Sequence, residues 1–86
     1  MKVVAKPIEM ICWFNNQGIC PIRFRIPEDD GSKKVIKVDK VVTKHIEKLA
    51  GNRMWVFDCQ SNIDGCERQY QIKYDLGTCK WNLFKI

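Results

Sequence analysis

The sequence predicts an all-β domain of about six short antiparallel strands, forming a small SH3-like barrel or a strongly bent sheet. Three observations lead there. First, the last third alternates with a period of two: Trp55, Phe57 and Cys59, then Tyr70, Ile72 and Tyr74, then Cys79, Trp81 and Leu83. Second, these runs are separated by turn chemistry at Asn62-Ile63-Asp64-Gly65 and Asp75-Leu76-Gly77-Thr78. Third, the two hairpins agree on which residues share a face. A four-residue loop at 62–65 opposes Phe57 with Tyr70, and a two-residue Asp-Gly loop shifts the pairing by two without exchanging the faces. A four-residue loop at 75–78 opposes Ile72 with Trp81. All nine residues therefore belong to one inner side, and Asp58, Gln69, Gln71, Lys73, Lys80 and Asn82 belong to the other.

Upstream, Ile8, Met10, Cys12 and Phe14 share one parity and form the inner face of a first strand. Asn15, Asn16, Gln17 and Gly18 make a turn. Ile22, Phe24 and Ile26 then point inward, with Arg23 and Arg25 outward. This hairpin is expected to oppose Phe14 with Ile22, and it leaves Trp13 on the outer face. The polar run Pro27–Lys34 is a loop. Residues 34–50 read two ways. Val35, Ile36, Val38, Val41, Val42 and Thr43 are β-branched and favour a strand. Val38, Val41, Val42, His45, Ile46 and Leu49 also fit a helical stripe, with Asp39 as a cap and Gly51 as a stop. The strand reading, from about Val35 to Thr43 with a bulge near Lys40, is favoured. The rest, to Asn52, is then expected as an irregular or single-turn connection, with one short helical segment near residues 44–50 as the alternative.

The chain has 86 residues, enough for one domain spanning 1–86, with 1–6 expected as a flexible N-terminal segment. No apolar run approaches the roughly 18 residues of a membrane helix, and no leader-like apolar segment is visible. The five cysteines, Cys12, Cys20, Cys59, Cys66 and Cys79, are odd in number and lack the close C-x2–4-C pairs of a zinc knuckle. Free thiols in a reducing cytoplasm are expected.

Formal net charge is +5. The excess is confined to residues 33–53, where Lys33, Lys34, Lys37, Lys40, Lys44, Lys48 and Arg53 face only Asp39 and Glu47. Such a stretch can attract anionic partners or simply solvate an aggregation-prone sheet. Glycines occur singly in turns, so no phosphate-cradling loop is present. His45 is the one conventional base, and nothing in the sequence places a nucleophile beside it. The Glu28-Asp29-Asp30 run sits in a loop without further carboxylate spacing, so no metal site is expected.

Pro21-Ile22-Arg23-Phe24-Arg25, Val38-Asp39-Lys40-Val41-Val42, Phe57-Asp58-Cys59 and Trp81-Asn82-Leu83-Phe84-Lys85-Ile86 occur in an order that resembles an uncharacterised family of small bacterial proteins. The resemblance covers most of residues 7–86. The order is more remotely similar to a domain of unknown function attached to some Y-family polymerase-like repair proteins. Ile36 departs from the pattern, which has an aromatic residue there. The resemblance implies a barrel and favours DNA association, and it assigns no site residue.

These readings give a non-catalytic binding or accessory module with no cofactor. Its expected partner is another protein or a second copy, with nucleic acid as the alternative and no membrane contact. Lys37, Lys40, Lys44, Lys48 and Arg53 are the candidate anionic-partner contacts, and Trp13 and Phe84 the candidate apolar contacts.

Overall fold

The computed structural model describes all 86 residues. It contains no helix. Seven strands, β1 (Val3–Asn15), β2 (Gly18–Pro27), β3 (Lys33–Lys37), β4 (Lys40–Leu49), β5 (Asn52–Ile63), β6 (Cys66–Asp75) and β7 (Lys80–Lys85), form one sheet in the order β3-β2-β1-β7-β6-β5-β4. Every pairing is antiparallel. The sheet curls into a half-barrel around one core. The segment expected to lead in flexibly enters the sheet at Val3, where β1 pairs with β7.

The C-terminal meander takes the expected faces. Phe57, Cys59, Tyr70, Ile72, Trp81 and Leu83 are in the buried core, with Trp55 and Tyr74 packed against it. The β5–β6 register is that of the two-residue loop, and the β6–β7 loop keeps four residues but covers 76–79 rather than 75–78. Phe57 opposes Ile72 and Trp55 opposes Tyr74, because Asp64 and Gly65, both at positive φ, form a two-residue turn of the type that suits the twist of a hairpin. In the next hairpin Tyr74 opposes Trp81 and Ile72 opposes Leu83. One member of the inner set is misplaced. Cys79 is exposed in the turn at φ 60°, so the alternation begins only at Lys80.

The first hairpin also turns tighter than expected. Asn15 opposes Gly18, Phe14 opposes Ile19, and a register shift between Ile11 and Cys12 leaves Ile22 as the extra residue on β2. β7 accompanies β1 only as far as Ile8, so the end of the hairpin overhangs the body. Phe14, expected inside, is therefore 71% exposed.

The stretch 34–50 contains two strands rather than one. β3 pairs with β2, the chain breaks at Val38-Asp39, and β4 pairs with β5. The bulge expected near Lys40 falls between Val41 and Thr43. The helical alternative near 44–50 is overturned: β4 continues to Leu49, and Ala50-Gly51 make a two-residue turn at φ 50° and 81° that pairs Leu49 with Asn52. Gly51 serves a hairpin, not a helix end.

The break is pinned to the opposite half of the sheet. The Asp39 N–H donates to Ser61 Oγ at 3.1 Å, and the Asn62 N–H donates to Asp39 Oδ2 at 2.8 Å. Ser61 Oγ in turn lies 2.6 Å from Tyr70 Oη. Burial pushes the Tyr70 hydroxyl up to about 12, opposed by its bond to Ser61. Lys34 adds an exposed ion pair to Asp64 at 2.6 Å.

Removing the Tyr70 hydroxyl leaves Ser61, 1% exposed, short of a partner. Tyr70→Phe is expected to cost about 1–3 kcal/mol in urea unfolding. Trp13→Ala, on the overhanging hairpin, is expected to stay within about 0.5 kcal/mol.

Candidate functional site

The outer skin of the half-barrel has two unlike regions. Over β4–β7 it is sealed by its own side chains. Val56, 1% exposed, lies opposite His45 on β4 and Lys73 on β6. Beside it, Asp58 accepts from Thr43 Oγ1 at 2.6 Å and from Gln71 Nε2 at 3.0 Å. The Thr43 hydroxyl is the chief cause of a lowered Asp58 pKa, with desolvation opposing it. Lys73 pairs with Glu47 at 3.1 Å and lies 3.8 Å over the Phe84 ring. Lys85 approaches the same ring at 5.7 Å. Phe84 is thus half-buried beneath two lysines, which removes it as an open apolar contact.

Over β1–β3 the skin is open. Trp13 is 67%, Ile11 52% and Val35 59% exposed. The register sets Ile11 against Arg23 and Arg23 against Lys37; the neighbouring row runs Glu9, Arg25, Val35. Glu9 is engaged by Arg25 at 2.8 Å and by Lys33 at 3.6 Å, and the Arg25 hydrogen bond holds its carboxyl below the usual range. Arg23 and Lys37 have no acidic partner. A groove of about 490 Å³ lies here, lined by residues that include Met10, Ile11, Arg23, Arg25 and Val35. It presents apolar side chains flanked by guanidinium groups.

The basic stretch is not one surface. Lys37 lies in the β1–β3 row. Lys40 opposes Gln60, whereas Lys44, Lys48 and Arg53 share the other, concave face with Trp55 and Phe57. Lys44 is already engaged. Its Nζ donates to the Gln17 and Ile19 carbonyls at 3.1 and 3.3 Å and sits 4.7 Å over the Trp55 ring. It caps a run of rings in which Trp55–Phe57, Phe57–Trp81 and Trp81–Tyr74 centroids are 6.4, 5.7 and 4.6 Å apart. Among the candidate cations, Lys37, Lys40, Lys48 and Arg53 remain exposed. Sequence reading treated Arg23 as the polar side of a strand and missed Ile11 and Val35. Their alternation with Met10 and Ile36 was the available signal.

His45 is exposed on β4 and faces Val56. No group of three or more His, Cys, Asp or Glu side chains is placed to hold a metal ion. All five cysteines are unpaired; Cys66 and Cys79 are exposed. Burial pushes the Cys59 thiol up to about 12 and raises Cys12, with Cys20 adding to the effect.

Comparison with protein-family models, with curated proteins and with solved structures finds no match.

A thiol-specific disulfide reagent at about pH 8 is expected to label Cys66 and Cys79 quickly and Cys59 only on unfolding, because the thiolate is the reacting form. Asp58 gives a pH signature. A lowered folded-state pKa contributes stability that is present above the unfolded aspartate value of about 3.9 and lost as pH falls through the folded one. The stability difference between the native chain and Asp58→Ala should hold steady above about pH 5 and shrink below about pH 4. A difference that widens on acidification would contradict the Thr43–Asp58–Gln71 network.

Proposed function

We propose that the protein is a non-catalytic binding module that acts in the cytoplasm by contacting another protein through the outward face of β1–β3. The observation that carries this reading is the juxtaposition of Trp13, Ile11 and Val35, all more than half exposed, with unpaired Arg23 and Lys37 on the same half-sheet. Tryptophan and arginine dominate the energetics of protein interfaces, where they are packed centrally and ringed by polar groups. The cations select a partner whose apolar contact is rimmed by acidic residues. The unpaired thiols suit a reducing compartment.

One observation favours a second reading. An exposed ring beside cations on an open sheet face is also how small barrels hold single-stranded nucleic acid. That reading loses weight because the basic stretch divides between two faces and Lys44 is engaged within the molecule.

A photo-crosslinking residue at position 13, in cells that express the chain naturally, is expected to trap one protein. Arg23→Ala combined with Lys37→Ala should cut the crosslink by about tenfold or more, and a crosslinker at position 84 should trap nothing. Nuclease-sensitive crosslinks, with affinity for an oligothymidylate falling steeply as salt rises, would replace this reading by the nucleic-acid one.

A further inference from the structure

The half-barrel is open along one side, between β2 and β4. No Cα of β2 comes within 8 Å of a Cα of β4, whereas paired strands lie about 4.8 Å apart. Lys44 still reaches across to the Gln17 and Ile19 carbonyls at 3.1 and 3.3 Å. A lysine arm spans roughly 6 Å from Cα to Nζ, so with its hydrogen bond and the carbonyl the gap is limited to on the order of 11 Å. A single strand seated between two others needs about 9.6 Å from one flanking strand to the other. Where Lys44 crosses, that width falls between the two bounds.

Both walls of the gap are strand edges. Residues 18–21 of β2 pair with β1 alone, Ile22 is the extra residue before β3 takes over at Arg23, and β4 pairs with β5 alone. The Ile22 carbonyl is taken by the Val38 N–H at 2.9 Å, and Lys44 takes that of Ile19. Pro21 has no N–H to offer, so β4, an edge strand along its whole length, supplies most of the free main-chain groups on the gap. Charge marks the occupant. Lys44, Lys48 and Arg53 share the face bordering the gap without an acidic partner, and the one acid of β4, Glu47, is on the other face with Lys73. Ile46, opposite Trp55 on that face, adds apolar surface at 47% exposure.

We propose that the gap is a strand-acceptor site for one extended segment of a partner protein in which acidic and apolar residues alternate. Main-chain hydrogen bonds to the two edges give such an addition its affinity, and the flanking side chains give its selectivity. In the unbound chain Lys44 acts as a latch, its ammonium standing in for the N–H groups of the absent strand. On binding it exchanges the two carbonyls for a carboxylate of the incoming segment. This site uses residues distinct from the outer-face contact and stands or falls independently of it.

The test is amide hydrogen exchange on the full chain with a synthetic peptide of alternating Glu and Val, about ten residues long to match β4. Slowed exchange confined to residues 18–20, 22 and 41–49 is expected, Pro21 having no amide proton. The exposed Lys48→Glu variant, which places opposite charges across from Arg53 and should keep the fold by circular dichroism, is expected to weaken peptide binding by about tenfold or more. No slowing, slowing spread over other strands, or equal protection by an alternating Lys-Val peptide would overturn the proposal. So would protection of the same amides on raising protein concentration alone, with a doubled mass, since a second copy would then be the occupant.

Discussion

The architecture depends on the two residues Val38 and Asp39, where the chain leaves one half of the sheet and joins the other. β3 belongs to β2 and β4 belongs to β5, yet only this break separates them. The edges of the sheet are therefore covalently joined at one corner, and the sheet has to curl. The Asp39–Ser61–Tyr70 chain holds the corner with groups that are costly to leave unpaired when buried. Curling then places Phe24 on β2 against Tyr70 on β6, with ring centroids 5.6 Å apart. A flat sheet with the same strand order could not bring those two strands into one core.

Much of this was legible in the sequence because strand parity survives errors of register. The expected pairing of Phe57 with Tyr70 was two residues off, yet Phe57, Tyr70, Ile72 and Trp81 stayed on the inner face. A shift by two preserves every inward side chain. Parity fails where strands end or bulge. Cys79 has the right spacing but sits in a turn, and Phe14 has the right parity but lies beyond the last residue of β7 that could cover it. Residues 44–50 were ambiguous because a Gly five residues after Ile46 suits both a helix stop and a hairpin. Ala50 at positive φ completes the hairpin turn, an uncommon conformation for a residue with a Cβ that composition does not advertise.

The candidate site was less legible, for a related reason. A run of charge in sequence becomes one surface only if the strand carrying it stays on one face. Here alternation and the corner send Lys37 to the skin of β1–β3 and Lys44 to the concave side. Exposure of Trp13 followed from its parity. That of Phe84 did not, because a ring on an outer face can still be roofed by neighbouring lysine stems, as Lys73 and Lys85 do.

Lys44 links these observations. Half-buried, its ammonium lies 4.7 Å from the Trp55 ring centroid and 5.9 Å from that of Phe57, contacts of a kind worth about 0.5–2 kcal/mol. It also takes two carbonyls, which accept from Lys44 because no strand N–H reaches them. Gly18 fits the same arrangement: a Cβ there would stand 3.0 Å from the ammonium. An open edge this long is ordinarily an aggregation hazard, held in check by charge. Lys44 places a charge at that edge while bridging the gap, so the residue that guards the edge is the one the proposed acidic segment would engage.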